Sequence, residues 1–375
     1  MQDLKPETLA VHAARAPDPA TGAVAPPLHL STTFERAPDG GYPHGFQYGR
    51  SGNPTRDALE QAIAVLEGAA EALCFASGTA ASMAAFALLR PGDHVIAPSE
   101  CYYGTVRQLN ELVGTMGVRV TLADTWDRQA LNDAWTPATR MLWIETPSNP
   151  RLRITDIAAA AEMAHARGAL LACDSTFATP VLQQPLALGA DVVMHSTTKF
   201  LAGHGDVTGG ALAVRERGET LQGLRTYQHQ AGAVPSPFDC WMIRRSMMTL
   251  PLRVRAQSAS AAAVARFLAG HPGVEQVHYP GLGSHPGHDV AARQMRTFGS
   301  MLSFEVAGGA EAALRVAARM RLFTRATSLG SVESLVEHRA SIEGPHTRTP
   351  QGLLRLSIGL EHADDLIADL DQALS

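Results

Sequence analysis

The sequence is short of lysine. Of its 31 basic residues only Lys5 and Lys199 are lysines, and all the others are arginine. Cysteine is scarce as well: Cys74, Cys101, Cys173 and Cys240 are the four in 375 residues, and none forms a C-x-x-C pair. That excludes a zinc ribbon or a thioredoxin-like motif, and so few cysteines do not make a disulfide scaffold, which fits a reducing compartment. Positive charge is not in excess, the formal balance being −5 with no long run of either sign. Nucleic-acid binding through a basic surface is therefore disfavoured. No apolar run approaches the roughly 18 residues of a membrane span. The N-terminus, with Asp3 and Glu7, lacks the apolar core of a secretory signal. A cytoplasmic protein with no membrane or nucleic-acid partner is expected. Also missing are G-x-G-x-x-G, G-x-x-x-x-G-K-[ST] and H-E-x-x-H strings, which argues against a nucleotide enzyme or a zinc hydrolase, so no metal is expected.

What is present is an ordinary globular mixture, 45% hydrophobic and 18% charged with 33 Gly and 23 Pro. The length suits two packed units, or one large α/β domain with an appendage. Residues 1–55 are rich in turn signals, such as Pro26-Pro27 and Gly52-Asn53-Pro54, and read as an extended N-terminal arm. Helical spacing over 57–67 ends at Gly68. Short apolar strand candidates then recur at 72–76, 94–97, 118–122, 141–144, 170–173 and 191–194, and an Ala-rich crossover helix is expected over 154–167. Apolar strands separated by helices predict a mainly parallel α/β sheet over 56–250. Beyond it a helix at 252–269, strands at 274–278, 299–306 and 353–358, and a terminal helix carrying Leu366, Leu370 and Leu374 predict a smaller α+β domain over 251–375.

In an open α/β sheet, ligands bind beyond the carboxyl ends of the strands. Those positions carry Gly78 and Thr79 at a helix start, Tyr102, Asn149, Asp174, and the run Ser196-Thr197-Thr198-Lys199. Backbone N–H groups at Gly78 and Thr79, with the hydroxyls of Thr79, Ser196 and Thr198, suit a phosphate at a positive helix end. Tyr102 offers a face for an aromatic ring, and Asp174 can keep a ring nitrogen protonated. Lys199 can form an imine, which arginine cannot. A phosphate, an aromatic ring, a protonated ring nitrogen and an aldehyde together describe pyridoxal 5′-phosphate.

The strings Tyr48-Gly49-Arg50-Ser51-Gly52-Asn53-Pro54-Thr55, Glu145-Thr146-Pro147-Ser148-Asn149-Pro150 and His195-Ser196-Thr197-Thr198-Lys199 resemble the Cys/Met-metabolism, or transsulfuration, enzymes. So do Ser328-Leu329-Gly330-Ser331-Val332-Glu333 and Leu354-Arg355-Leu356-Ser357. The resemblance runs from about residue 6 to the C-terminus. It implies the type I aminotransferase-like fold and a homotetramer with active sites shared across a dimer interface. It makes Lys199 the imine lysine and proton shuttle, Asp174 the partner of the ring nitrogen, and Tyr102 a stacking and transimination residue. Tyr48 and Arg50 would reach the phosphate of a neighbouring subunit's cofactor. Arg355 would grip the carboxylate of the amino-acid substrate, helped by Asn149 and Ser328, with Arg107 nearby. Glu333 would face a distal amine, which places cystathionine γ-lyase, releasing cysteine, 2-oxobutyrate and ammonia, narrowly ahead of cystathionine γ-synthase.

Cystathionine β-lyase, sulfhydrylase and methionine γ-lyase rank lower, the last because Gly104 stands where its cysteine is usual. A fold that has lost catalysis is disfavoured by the intact Lys199, Asp174, Tyr102 and Arg355. Tyr103, Ser175 and Ser331 depart from the family pattern, and the segment 339–352 is shorter than usual. Tyr103 is expected to add bulk beside the cofactor.

Overall fold

Strand β4 (Thr139–Glu145) shows why the first half folds as it does. Its residues are apolar on both faces, so Leu142 and Ile144 pack into one core while Met141 and Trp143 pack into another on the opposite side. Only a sheet covered by helices on both faces buries such a strand. The structure is a computed structural model and describes residues 4–343 and 348–375.

Among the described residues, seven strands form the larger sheet in the order β1-β7-β6-β5-β4-β2-β3. The remaining six are β1 (Glu71–Phe75), β2 (His94–Pro98), β3 (Arg119–Ala123), β5 (Leu170–Asp174), β6 (Val192–His195) and β7 (Gly210–Val214). All neighbours pair in parallel except β7, which runs antiparallel to both β1 and β6. The expected strands lie within two residues of those observed; β7 was not expected. Its first residue, Gly210, comes so near the chain at Ser77 that a Cβ would sit 2.2 Å from the Ser77 carbonyl oxygen. Glycine at that position therefore permits the close approach that the start of β7 requires.

The second sheet has the order β10-β11-β12-β9-β8, built from β8 (Val274–His278), β9 (Met301–Val306), β10 (Thr324–Arg325), β11 (Leu335–His338) and β12 (Leu353–Ser357). Its core joins Phe304, Leu354 and Leu356 to Leu366 and Leu370 of the terminal helix Ala363–Leu374, while Leu374 is partly buried. The N-terminal segment is not wholly extended, since Pro6–His12 is helical. The helix Pro54–Glu67 begins three residues before the expected 57, because the Asn53 side chain accepts from the Thr55 and Arg56 N–H groups and Pro54 suits the first turn. Gly68, at φ 66°, ends it. The crossover helix is shorter than expected, Ile157–His165, with Asp156 as its cap. Among the described residues no helix is long and apolar enough to cross a membrane, and all four cysteines are buried free thiols.

The turn that follows Lys199 is held from below by the helix Leu250–Ala269. Arg253, buried on that helix, donates to the carbonyls of Phe200 (2.8 Å) and Ser246 (3.1 Å), and burial pulls its pKa down to about 10. Arg253→Met leaves buried carbonyls without donors, a loss expected to cost about 2–4 kcal/mol. The shift of the denaturant midpoint at unchanged slope measures it, and an unshifted midpoint would show that the turn does not depend on Arg253.

Candidate active site

The carboxyl ends of the larger sheet, together with β12, the β10–β11 loop and the start of the helix after β11 in the smaller unit, enclose a cavity of about 240 Å³. Lys199 enters it from the turn after β6, and its Nζ donates to Ser328 Oγ at 2.8 Å. Burial, and then the nearby Arg355 guanidinium, pull the Lys199 pKa down to about 8. Ser328 reaches both partners because it holds φ 108°, a region few side chains adopt, so its carbonyl can accept from Arg355 Nη2 at 3.0 Å. The next glycine, Gly330, packs under the same turn, where a Cβ would lie 2.8 Å from the Phe200 nitrogen.

On the opposite wall, parallel pairing of β4 and β5 sets Glu145 directly beside Asp174. Both are buried; burial raises both carboxyl pKa values, and the neighbouring Asp174 raises Glu145 further. Asp174 accepts from the Thr176 N–H at 2.9 Å. Glu145 accepts from the N–H groups of Tyr102 and Asn149, each at 2.8 Å, and so fixes two site residues at once. The Tyr102 ring folds back over Gly104, where a Cβ would lie 2.4 Å from it.

The cavity floor is the start of the helix Gly78–Phe86, where Ser77 caps by accepting from the Ala80 N–H. Thr79 and Ser196 line it, and Gly78 leaves room for Ser196, whose Oγ would be 2.9 Å from a Cβ at that position. Thr198 lines the same floor and exchanges hydrogen bonds with Gly209. The cavity therefore offers an anion cradle at one place, a buried acid at another, and a buried amine hydrogen-bonded to a hydroxyl. These are the complements of a phosphate, a ring cation and an electrophilic carbon.

Arg355, in β12, is buried and donates from Nη1 to Asn149 Oδ1 at 3.0 Å, while Nη2 lies 2.6 Å from Glu337 Oε2. Glu333 does not line this cavity. It lines an adjoining one of about 480 Å³ that shares Thr198, Thr208, Thr327 and Ser328 with the first, and it accepts from Ser331 Oγ at 2.7 Å.

Arg107 departs from expectation. It is drawn along its own helix to Glu111, with Nε 2.8 Å from Oε1, and lies exposed outside the cavity. Tyr103 also departs, since it lines a separate cavity of about 560 Å³ that shares only Asn149 with the first. Tyr48 and Arg50 are exposed on the N-terminal arm, where Arg50 donates to the His229 carbonyl at 3.2 Å. Residues 344–347 of the short 339–352 segment lie outside the described residues. Sequence reasoning assigned no role to Glu145, Thr176, Glu337 or Arg339. Glu145 opens the Glu-Thr-Pro-Ser-Asn-Pro string and ends a strand, a signal that could have found it. The other three are recognisable only from their spatial partners.

A family model of the Cys/Met metabolism PLP-dependent enzymes matches residues 7–375. The chain belongs to that family. It is 50% identical over 375 residues to the cystathionine gamma-synthase of Mycobacterium tuberculosis (strain ATCC 25618 / H37Rv), spanning 98% of this chain and 96% of that protein. To the cystathionine gamma-lyase of Dictyostelium discoideum it is 43% identical over 375 residues, 98% of this chain and 97% of the other. The crystal structure of metB from Corynebacterium glutamicum matches it with a TM-score of 0.97 at 42% identity, covering 100% of this chain and 98% of that one. The expected fold class and the pyridoxal phosphate dependence of the enzyme are thereby established.

The lowered pKa of Lys199 carries a sign. Below about pH 8 the folded and unfolded chains both hold the proton, and the cost of burying the charge is fully present. Between about 8 and the ordinary 10.5 the folded chain loses the proton first, so stability rises with pH. In cofactor-free protein, the stability gained by Lys199→Met at pH 7, on the order of 3 kcal/mol, should shrink as pH approaches 10. Unfolding free energies across this range measure it, and a gap that stays constant would mean that Lys199 titrates as an ordinary lysine.

Proposed function

We propose that this enzyme makes or breaks the bond between Cγ and sulfur in cystathionine, with γ-replacement, the joining of cysteine to an activated homoserine, as its main reaction. The observation that carries this is the continuity between the Lys199 cavity and the Glu333-lined cavity through Thr198, Thr208, Thr327 and Ser328. An amino acid held at Lys199 can extend past Ser328 and present a distal ammonium group to Glu333. The resemblance by itself ranked γ-elimination first. The 50% identity to a protein named cystathionine gamma-synthase reverses that order, while the 43% identity to a named gamma-lyase keeps elimination as the second reading.

In this reading Gly78, Thr79, Ser196 and Thr198 hold the phosphate, and Tyr102 covers the ring. Asp174 would be the partner of the ring nitrogen, and Lys199 would hold the cofactor through its aldehyde. When bound, the cofactor draws electron density from Cα of the substrate. Arg355, steadied by Asn149 and Ser328, binds the α-carboxylate through its planar fork. The Lys199 amine, free when substrate is bound, would take the proton from Cα, pass it to the bound cofactor and so become a free base again, and then take the proton from Cβ that must leave before the γ-substituent departs. Its pKa of about 8 leaves it able to carry a proton in either direction near neutrality. Asp174 stays effective as an anion because a ring cation offsets the cost of its burial. We further propose that 1–55 act as an arm delivering Tyr48 and Arg50 to a neighbouring subunit of a homotetramer, with 56–250 the cofactor-binding domain and 251–375 the small domain.

Product analysis tests the assignment. Cofactor-loaded enzyme given O-succinylhomoserine and cysteine should form cystathionine, and given cystathionine alone it should release cysteine and 2-oxobutyrate more slowly. Pyruvate and homocysteine from cystathionine would place the chemistry at Cβ and overturn the reading. Glu333→Gln should raise KM for cystathionine about tenfold through loss of one charge-assisted contact. An unchanged KM would remove Glu333 from the distal site.

A further inference from the structure

The cavity wall beside Lys199 holds two buried guanidiniums. Arg355 lies in β12 directly opposite Glu337 of β11. Arg339 opens the helix Arg339–Glu343 that follows β11. Both arginines line the cavity, at 3% and 4% exposure for Arg355 and Arg339 respectively. They share one acceptor: Arg339 Nη1 donates to Glu337 Oε2 at 2.7 Å, and Arg355 Nη2 is 2.6 Å from that same oxygen. Arg339 Nη2 donates at 2.8 Å to Glu343, whose carboxylate faces the separate cavity near Tyr103. Arg339 Nε is buried with no hydrogen-bond partner.

One carboxylate divided between two cations does not neutralise either. If Arg339 were absent, Glu337 would belong wholly to Arg355, and a buried, directly opposed pair of that kind is close to neutral seen from the cavity. With Arg339 in place, positive charge faces the cavity and the second compensating carboxylate, Glu343, lies on the far side. The row is a dipole with its positive end beside Lys199.

We infer that Arg339 is a positioning residue for substrate binding: by sharing Glu337 it leaves the charge of Arg355 less compensated toward the cavity and so sets the enzyme's preference for amines that carry an α-carboxylate. The inference deepens the proposed function and rests on Arg355 being the carboxylate clamp. It assigns a specificity role to a side chain that lies outside the strings by which the family was recognised. The discriminating quantity is the affinity for an amino acid relative to that for the same molecule without its carboxylate.

The test uses cofactor-loaded enzyme and two ligands with no leaving group, L-norvaline and its decarboxylated counterpart n-butylamine, each titrated through the visible absorbance of the cofactor. In Arg339→Met the norvaline affinity should fall about tenfold, while butylamine stays within about twofold, the pattern expected when one charged contribution to carboxylate binding is lost. Arg339→Lys, which keeps the charge, should recover most of the loss. Equal weakening of both ligands would reduce Arg339 to a structural role and overturn the inference, as would unchanged norvaline binding. Arg355→Met separates the two levels of the argument. If it weakens norvaline while Arg339→Met does not, only this inference fails. If it too leaves norvaline unaffected, the clamp in the proposed function fails. Should Arg339→Met not fold, Arg339→Gln, which keeps a hydrogen bond to Glu337 but no charge, is judged by the same ratio and the same outcomes.

Discussion

The contact between Lys199 Nζ and Ser328 Oγ is where the two sheets of the molecule become one site. The larger sheet alone brings together an amine, an acid and an anion cradle. It has no means of gripping an amino acid. That grip arrives from the smaller sheet, whose β12 carries Arg355 and whose β10–β11 loop carries Ser328 and Gly330. The unusual φ of Ser328 lets one residue meet Lys199 with its hydroxyl and Arg355 with its carbonyl. Gly330 allows the loop to close on Phe200 without a clash. The relative placement of Lys199 and Arg355 thus depends on this junction being tight.

Around the junction, burial acts on charges of opposite sign in opposite directions. It raises the carboxyls of Glu145 and Asp174 and lowers the amine of Lys199, because in each case the charged form loses hydration. The result is a slot with an acid-lined wall at the strand ends and a base-lined wall at the smaller sheet. A ligand with a cationic ring for the acid-lined wall and a phosphate for the anion cradle restores what burial has removed. Family membership names such a cofactor, and the architecture gives the physical reason that it fits.

Much of the cofactor cavity was legible in the chain because its groups sit at strand ends, and strand ends follow from hydropathy. Gly78, Thr79, Tyr102, Asp174 and Lys199 come from separate parts of the chain, yet the rule that parallel strands present their carboxyl ends to one rim places them together. The scarcity of lysine did the rest, since an amine embedded in a chain that otherwise uses arginine stands out. The partners within the smaller sheet were not legible. That Glu337 opposes Arg355 depends on strand register, and that Arg339 shares its oxygen depends on how a helix leaves a strand. Arg107 shows the converse case, a residue of suitable type and position that its own helix pairs with Glu111 instead.

By itself the sequence determined the class of the fold, the family and the dependence on pyridoxal phosphate, because each of these rests on residue type and local periodicity. Only the tertiary structure decided that β7 runs against its neighbours, that Tyr103 faces a different cavity, and that Glu145 ties Tyr102 to Asn149 beneath the site. It also decided how the charge of Arg355 is divided. The physical reason is the same throughout. Local pattern sets which groups a segment carries, whereas the sharing of one buried carboxylate between two cations depends on the register of β11 against β12 and on how the helix Arg339–Glu343 leaves β11.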